Sequence, residues 1–216
     1  MFKKTFITGV VILIIVSFVT ISRAAELLSV KLPAPNLNSG KSLMQSLQLR
    51  KSSRDFSTKK LSLEVLSSML WAANGINRAE SGKRTAPSAV NWQEIDIYIA
   101  MADGLYLYNA KEHILKQVIK KDIRELTGKQ AFVKEAPVNL IYVADYSRMG
   151  KANADERNFY SAADTGFIAQ NVYLYCASEG LATVIRGSID KDVLAKAMRL
   201  SDNQKIIMSQ TVGYPE

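Results

Sequence analysis

One cysteine (Cys176) and one histidine (His113) are all that 216 residues supply of the side chains most used for metal binding and nucleophilic catalysis. Structural zinc takes four Cys/His-type ligands and catalytic zinc usually several His, so neither fits. A disulfide framework needs paired cysteines and is excluded with them. A Ser-His-Asp or Cys-His hydrolase would have to be built on His113, and nothing around it looks like such a site. No basic helix interleaved with aromatics and no nucleic-acid motif is present, which argues against a nucleic-acid partner. Any chemistry must therefore come from carboxylates, from Lys and Arg, or from a bound organic cofactor. What remains is 48% hydrophobic and 22% charged, the composition of an ordinary globular domain.

The first 24 residues read as an address. Lys3 and Lys4 precede an apolar run at 6–21, and Ser22 and Ala24 fit the small positions of a signal-peptide cleavage site. The other reading is an uncleaved anchor, although 16 residues containing Thr8, Gly9, Ser17 and Thr20 fall short of the roughly 20 that a spanning helix wants. Cleavage after Ala24 removes Lys3, Lys4 and Arg23 and no acid, so the net charge drops from +8 to +5. The expectation is an exported protein, periplasmic or extracellular, that meets the membrane only during export.

Along the rest of the chain, 25–40 reads as an extended arm and 41–216 as one domain. Leu43, Met44 and Leu47 recur at helical spacing. Ser62 is a good N-cap for a helix whose apolar face is Leu63, Leu66, Met69, Leu70 and Ala73, stopped at Asn74-Gly75. A long loop is expected at 75–91, and loops of that length tend to be functional. Ile95, Ile97, Ile99 and Met101 alternate as in a half-buried strand, Asp103-Gly104 signals a hairpin, and 105–108 returns. Helices are expected at about 116–127, near 129–135, at 155–179 and at 191–200, with strands at 138–144, 181–185 and 205–212. The long helix carries a stripe of small and buried-type residues: Ala162, Gly166, Ala169, Tyr173 and Cys176. This irregular mixture with one clear hairpin predicts an α+β fold, its central mixed or antiparallel sheet flanked by helices.

Two basic, hydroxyl-rich segments could carry chemistry. Arg50-Lys51-Ser52-Ser53-Arg54 places cations and hydroxyls where they could clamp a phosphate, with Arg able to bind it bidentately. In the second, Gly82-Lys83 has the look of a phosphate-binding loop, but Arg84 stands where Ser or Thr must follow Lys and no Gly lies five residues before Gly82. That leaves Ser88, Asn91 and Gln93 around Pro87, groups that can recognise a planar heterocycle. Cys176 reads as an inert core thiol, His113 as solvated, and Tyr173 as packing. Trp71 reads as helix packing, and Trp92 as either packing or the wall of a pocket.

Arg50-Lys-Ser-Ser-Arg-Asp-Phe56 resembles the Arg-x-Ser-x-Arg-x-Phe opening of the FMN-dependent nitroreductase family, and Pro87-Ser-Ala-x-Asn-x-Gln93 resembles its Pro-Ser-(Ser/Ala)-x-Asn-x-Gln loop. Four further stretches agree in order: Ala136-Pro-Val-Asn-Leu-Ile-Tyr-Val143, Ala169-Gln-Asn-x-Tyr-Leu174, Gly180-Leu-Ala-Thr-x-x-Arg-Gly187 and Val212-Gly-Tyr-Pro215. The run at 61–76 and the motif Arg-Thr-Ala-Pro-Ser-Ala also resemble the azoline-forming peptide dehydrogenases of the same superfamily.

The resemblance implies the nitroreductase-like fold and a homodimer whose long helix lies at the subunit boundary, with two FMN sites built from both chains. Arg50, Lys51 and Ser52 would hold the FMN phosphate and ribityl chain, and Arg54 would sit near flavin N1 and O2. Pro87, Ser88 and Asn91 would come from the partner chain, and the backbone of Arg186 and Gly187 would face flavin N5. Many members have Glu at the Arg186 position. Many also use a basic residue beyond the last strand, where this sequence has Pro215-Glu216, so Lys129 is the candidate for a compensating charge. The implied activity is two-step hydride transfer from NAD(P)H or another small donor to a small acceptor. A flavin oxidase acting on a peptide or small molecule, and an exported module that has lost FMN, are the alternatives.

Overall fold

In the computed structural model Met1 and residues 27–216 are described. The export segment expected at 1–24 therefore lies, Met1 apart, outside the described residues. The elements run β1 (Ser29–Lys31), α1 (Leu43–Leu49), α2 (Leu63–Asn74), the small hairpin β2 (Ile76–Arg78) and β3 (Lys83–Arg84), then β4 (Ile95–Met101), β5 (Gly104–Asn109), β6 (Ile114–Ile119) and β7 (Val138–Asp145). There follow α3 (Ala154–Glu179), β8 (Ala182–Arg186), α4 (Lys191–Met198) and β9 (Gln204–Gly213). Seven strands form one sheet in the order β1-β6-β5-β4-β7-β9-β8, and every pairing is antiparallel. The α+β expectation holds, with the sheet wholly antiparallel.

β7 shows why this sheet is buried on both faces. Leu140, Tyr142 and Ala144 point into a core shared with Leu66, Met69, Leu70, Ile168 and Val172 of α2 and α3. The intervening Ile141 and Val143 point the other way, onto Leu194 and Met198 of α4. Successive side chains of a strand face opposite sides, so a continuous apolar run such as 140–144 suits a strand covered twice. The helices start where capping chemistry permits. Ser62 accepts the Val65 N–H at the head of α2, and Asn153 and Glu156 cap α3 reciprocally. α3 ends at Gly180, whose φ of +72° is the left-handed conformation that glycine adopts without a Cβ penalty.

Several expectations need correction. The helix expected at 116–127 is instead strand β6 followed by a 3-10 turn at Arg124–Thr127. Ile114, Leu115, Val118 and Ile119 fit helical spacing in sequence. Pairing with β5 wins because it gives the edge of the hairpin a partner, with Leu115 and Gln117 turned inward. The segment at 129–135 is a single 3-10 turn, Ala131–Lys134. Within the extended arm at 25–40, β1 adds a strand outside β6. Within the loop at 75–91 lies the β2–β3 hairpin. His113 is not solvated: its ring bonds the Ser67 hydroxyl at 2.7 Å, the Tyr108 hydroxyl at 3.0 Å and the Pro33 carbonyl at 3.1 Å, and burial lowers its pKa. On α1 the apolar residues face outward, with Leu43, Met44 and Leu47 exposed and only Ser46 buried.

Candidate functional site

The loop at 50–54 is laid along the free edge of β8. The Ser53 N–H donates to the Thr183 carbonyl at 2.9 Å, and the Ser57 N–H to the Tyr214 carbonyl at 2.9 Å. Between these anchors, buried Phe56 packs on Phe132 with ring centroids 5.3 Å apart, which explains why the motif closes on an aromatic residue. Tyr173 of α3 fixes the other end. Its hydroxyl accepts the Ile185 N–H at 3.0 Å, which leaves its own proton for the Ser52 hydroxyl at 2.8 Å. The Arg50 guanidinium lies over the same ring, 5.5 Å from its centroid. A cavity of about 370 Å³ opens here, lined by Lys51, Ser53, Tyr173, Cys176, Thr183 and Pro215 among others. That volume falls within the range of about 300–1,000 Å³ usual for small-molecule sites.

Sequence reading assigned Tyr173 to packing, whereas the structure makes it the joint between α3, β8 and the basic loop. Its position one turn before Cys176 on the small stripe was the available signal. In Tyr173→Phe both hydrogen bonds go and the Ile185 N–H loses its partner. Urea unfolding should show a loss of about 1–2 kcal/mol, and an unchanged midpoint would mean that the joint contributes nothing.

At the end of β8 the chain turns outward. On this edge the odd-numbered residues address the loop and α3, as Thr183 and Ile185 do, so Gly187 continues the outward register. A Cβ built on Gly187 meets nothing within 4 Å. Lys129 comes alongside through its backbone N–H, which donates to the Ser188 carbonyl at 3.1 Å, and its side chain is exposed. Arg186 behaves differently. Its side chain turns into the interior and donates to the Thr127 carbonyl (2.9 Å), Asn139 Oδ1 (3.1 Å) and Thr211 Oγ1 (2.8 Å). None of these partners is a carboxylate, and burial lowers the guanidinium to about 10. Arg50, Lys51, Ser52, Arg54, Lys129 and Gly187 are thus brought to one edge, and the Arg186 side chain is turned away from it.

Pro87, Ser88 and Asn91 lie elsewhere, against the first half of α3. The Ala89 N–H donates to Asp164 Oδ2 at 2.9 Å, and a cavity of about 230 Å³ is lined by Pro87, Ser88, Asn91, Gln93, Arg84 and Asp164. Arg84 is held by Gln93 Oε1 at 2.8 Å and by the Asn74 carbonyl at 2.9 Å, and burial lowers its pKa. Trp92 packs edge-on against Tyr160 at 5.7 Å, and Trp71 donates to the Ile76 carbonyl. Asp164 and Tyr173 are nine residues apart on α3, about 14 Å at the helical rise of ~1.5 Å per residue. The two groups of residues therefore occupy separate stations along one helix. Burial also raises the Cys176 thiol well above its ordinary range, in keeping with an inert core residue. No group of three metal-ligating side chains occurs among the described residues.

A third, larger cavity of about 590 Å³, between β1, the start of α2 and the β4–β5 turn, is lined by none of these candidates.

The similarities to known proteins run through both stations. The nitroreductase family model matches residues 47–214. A protein of Methanocaldococcus jannaschii named as a nitroreductase is 31% identical over 169 residues, covering 74% of this chain and 85% of that one. The NADPH-flavin oxidoreductase of Vibrio harveyi is 27% identical over 105 residues, 45% of this chain and 44% of that enzyme. A solved structure from Ralstonia eutropha, also named as a nitroreductase, is 44% identical and superposes with a TM-score of 0.83, covering 87% of this chain and 90% of its own. With a match that takes in the basic loop, the 87–91 loop, α3 and β8–β9, the chain belongs to the nitroreductase family.

Proposed function

We propose that this protein is an exported homodimer that holds FMN between its subunits and uses it to carry electrons from NAD(P)H or another small donor to a small acceptor. The observation that carries the reading is the edge of β8. There Arg50, Lys51 and Arg54 are exposed and take part in none of the four ion pairs found among the described residues, and farther along the strand a Cβ at Gly187 would meet nothing within 4 Å. Uncompensated cations with a hydroxyl at Ser52 are the donor set that a phosphate ester requires. Arg50, Lys51 and Ser52 would hold the phosphate and its sugar-alcohol chain, with Lys129 adding charge. Arg54 would offset negative charge on the ring, and the backbone at Gly187 would allow close approach. A bound flavin supplies the two-electron chemistry itself. The chain's task is binding and orientation, which agrees with its poverty in His and Cys.

The partner's contribution follows from the two stations on α3. Gly166 and Phe167 are exposed between them. A two-fold axis crossing α3 near Phe167 sets the level of Asp164 in one copy within about one turn of the level of Tyr173 in the other. Pro87, Ser88 and Asn91 would then close the site from the second chain. The same contact would cover Phe159 and Phe167, which otherwise stand in water together with Leu43, Met44 and Leu47 of α1.

Titration of the purified chain with FMN, followed by quenching of flavin fluorescence, tests the site. Arg50→Ala and Arg54→Ala should each weaken binding by about 1–3 kcal/mol, roughly 5- to 150-fold. Unchanged affinity in both variants would place the site elsewhere. Sedimentation of the loaded protein should give a dimer.

A further inference from the structure

Glu94 joins the 87–93 loop to β4 and is completely buried, yet no N–H or O–H donor reaches either of its carboxyl oxygens. Its polar neighbour is Asp164 of α3, 2% exposed, which accepts the Ala89 N–H and lies close enough for its charge to act on the Glu94 carboxyl. Two neighbouring carboxyl groups buried this deeply, one of them with no donor on either oxygen, cannot both stay ionised. Asp164 already accepts a backbone N–H, which favours its charged form. Glu94, with no donor on either oxygen, is therefore the protonated member.

The loop anchored in this way is strained. Val90, Asn91 and Gln93 have φ of 52°, 57° and 50°, left-handed conformations that are unusual for any of them and least suited to β-branched Val90. Internal bonds from the Asn91 N–H to the Ser88 carbonyl (3.1 Å) and from the Gln93 N–H to Ser88 Oγ (3.0 Å) shape the turn. Arg84 and Arg148 hold its far end, through Gln93 Oε1 and the Gln93 carbonyl. The Ala89–Asp164 bond ties its near end to α3. Ser88 and Asn91 are the residues that the proposed function assigns to the partner's cofactor, so the present inference rests on that reading for its consequence.

We infer that Glu94 and Asp164 share one proton which holds the 89–93 loop in its strained turn, and that losing it loosens the loop and weakens cofactor binding across the subunit boundary. These are positioning residues, acting through the loop. The charges facing the pair do not replace the proton. Arg148, in the turn after β7, is engaged by Asp96 at 2.6 Å and Asp145 at 3.4 Å. Arg84 of β3 is held by Gln93 and Asn74, with Tyr108 of β5 nearby, and Arg78 and Lys83 lie on the cavity rim. Arg157 lies two turns earlier on α3 and donates to the Gly150 carbonyl. Burial first, and then Asp164, raises Glu94 from 4.5 to about 7, which puts the transition near neutrality. The sign is that of a raised acid. The folded loop keeps a proton that the unfolded chain gives up, so this stabilisation is complete below about pH 4.5 and is lost as pH rises through about 7.

The test compares the full chain with Glu94→Gln and Asp164→Asn between pH 5.5 and 8.5. It uses FMN titrations and hydrogen–deuterium exchange of residues 89–93, corrected for intrinsic rates. In the wild type, FMN affinity should fall about tenfold per pH unit above neutrality, with loop protection falling in parallel. Glu94→Gln keeps a neutral donor to Asp164 and should flatten both profiles. Asp164→Asn, whose amide keeps the Ala89 N–H and donates to an ionised Glu94, should flatten them too and serves if the first variant fails to fold. A protonated-carboxyl infrared band present at pH 6 should be missing from Glu94→Gln. Variants that retain the wild-type slope, or an infrared band unchanged by Glu94→Gln, would overturn the inference. If the chain bound no FMN at any pH, the proposed function would fail, while exchange and infrared would still decide whether the pair holds the loop.

Discussion

Arg186→Glu should be the most damaging single change in the fold, costing about 4–5 kcal/mol and lowering Tm by roughly 10–20 °C. The arginine donates to three interior acceptors, the Thr127 carbonyl, Asn139 Oδ1 and Thr211 Oγ1. A carboxylate in its place would set an unpaired buried charge against the Thr127 carbonyl and Asn139 Oδ1, two oxygens that cannot donate. Arg186→Met should cost much less. Thr127 keeps the Ser209 hydroxyl at 2.7 Å, and Asn139 keeps the Thr211 hydroxyl at 2.5 Å. Urea denaturation of the two variants separates the contributions, and equal stability of Glu and Met at this position would contradict the interior placement of the side chain. Gly128 leaves room for the arginine, because a Cβ there would come within 1.8 Å of Arg186 Nη1.

Gly187→Val should do the reverse, leaving the fold intact and removing the cofactor. A Cβ at this exposed position meets no atom within 4 Å, so thermal stability should stay within about 0.5 kcal/mol of the wild type. The branched side chain would instead fill the open space at the end of β8 that the proposed flavin ring needs. FMN affinity should drop at least ~100-fold, equivalent to about 2.7 kcal/mol. Wild-type affinity in a well-folded Gly187→Val protein would mean that the ring does not approach β8. Because one variant costs stability and the other costs binding, together they distinguish the inward face of 186–187 from the outward one.

Much of this was legible along the chain. The apolar run at 138–144 read as a strand and the alternation at 95–101 as a half-buried one; the structure pairs them as β7 and β4 and buries most of both. Ser62, Asn74 and Gly75 bounded α2 to the residue, since caps are local chemistry. The segment at 114–127 was not legible, because its apolar spacing satisfies a helix and a strand equally. The choice was made by β5, whose open edge gains a ladder of backbone hydrogen bonds. His113 was misread for a similar reason: its partners Ser67, Pro33 and Tyr108 come from three separate segments.

The site divides in the same way. Composition and motif spacing alone fixed which residue types were available, cations and hydroxyls with almost no His or Cys, and so directed the reading towards a bound cofactor. Local pattern fixed the helices and strands that carry them. Only the tertiary structure decided that Tyr173 joins the basic loop to β8, that the Arg186 side chain turns inward while Gly187 stays open, and that Glu94 lies buried against Asp164. Each of those outcomes depends on groups distant in sequence meeting in a water-poor interior, where an unpaired donor or charge is costly and its partner is set by packing.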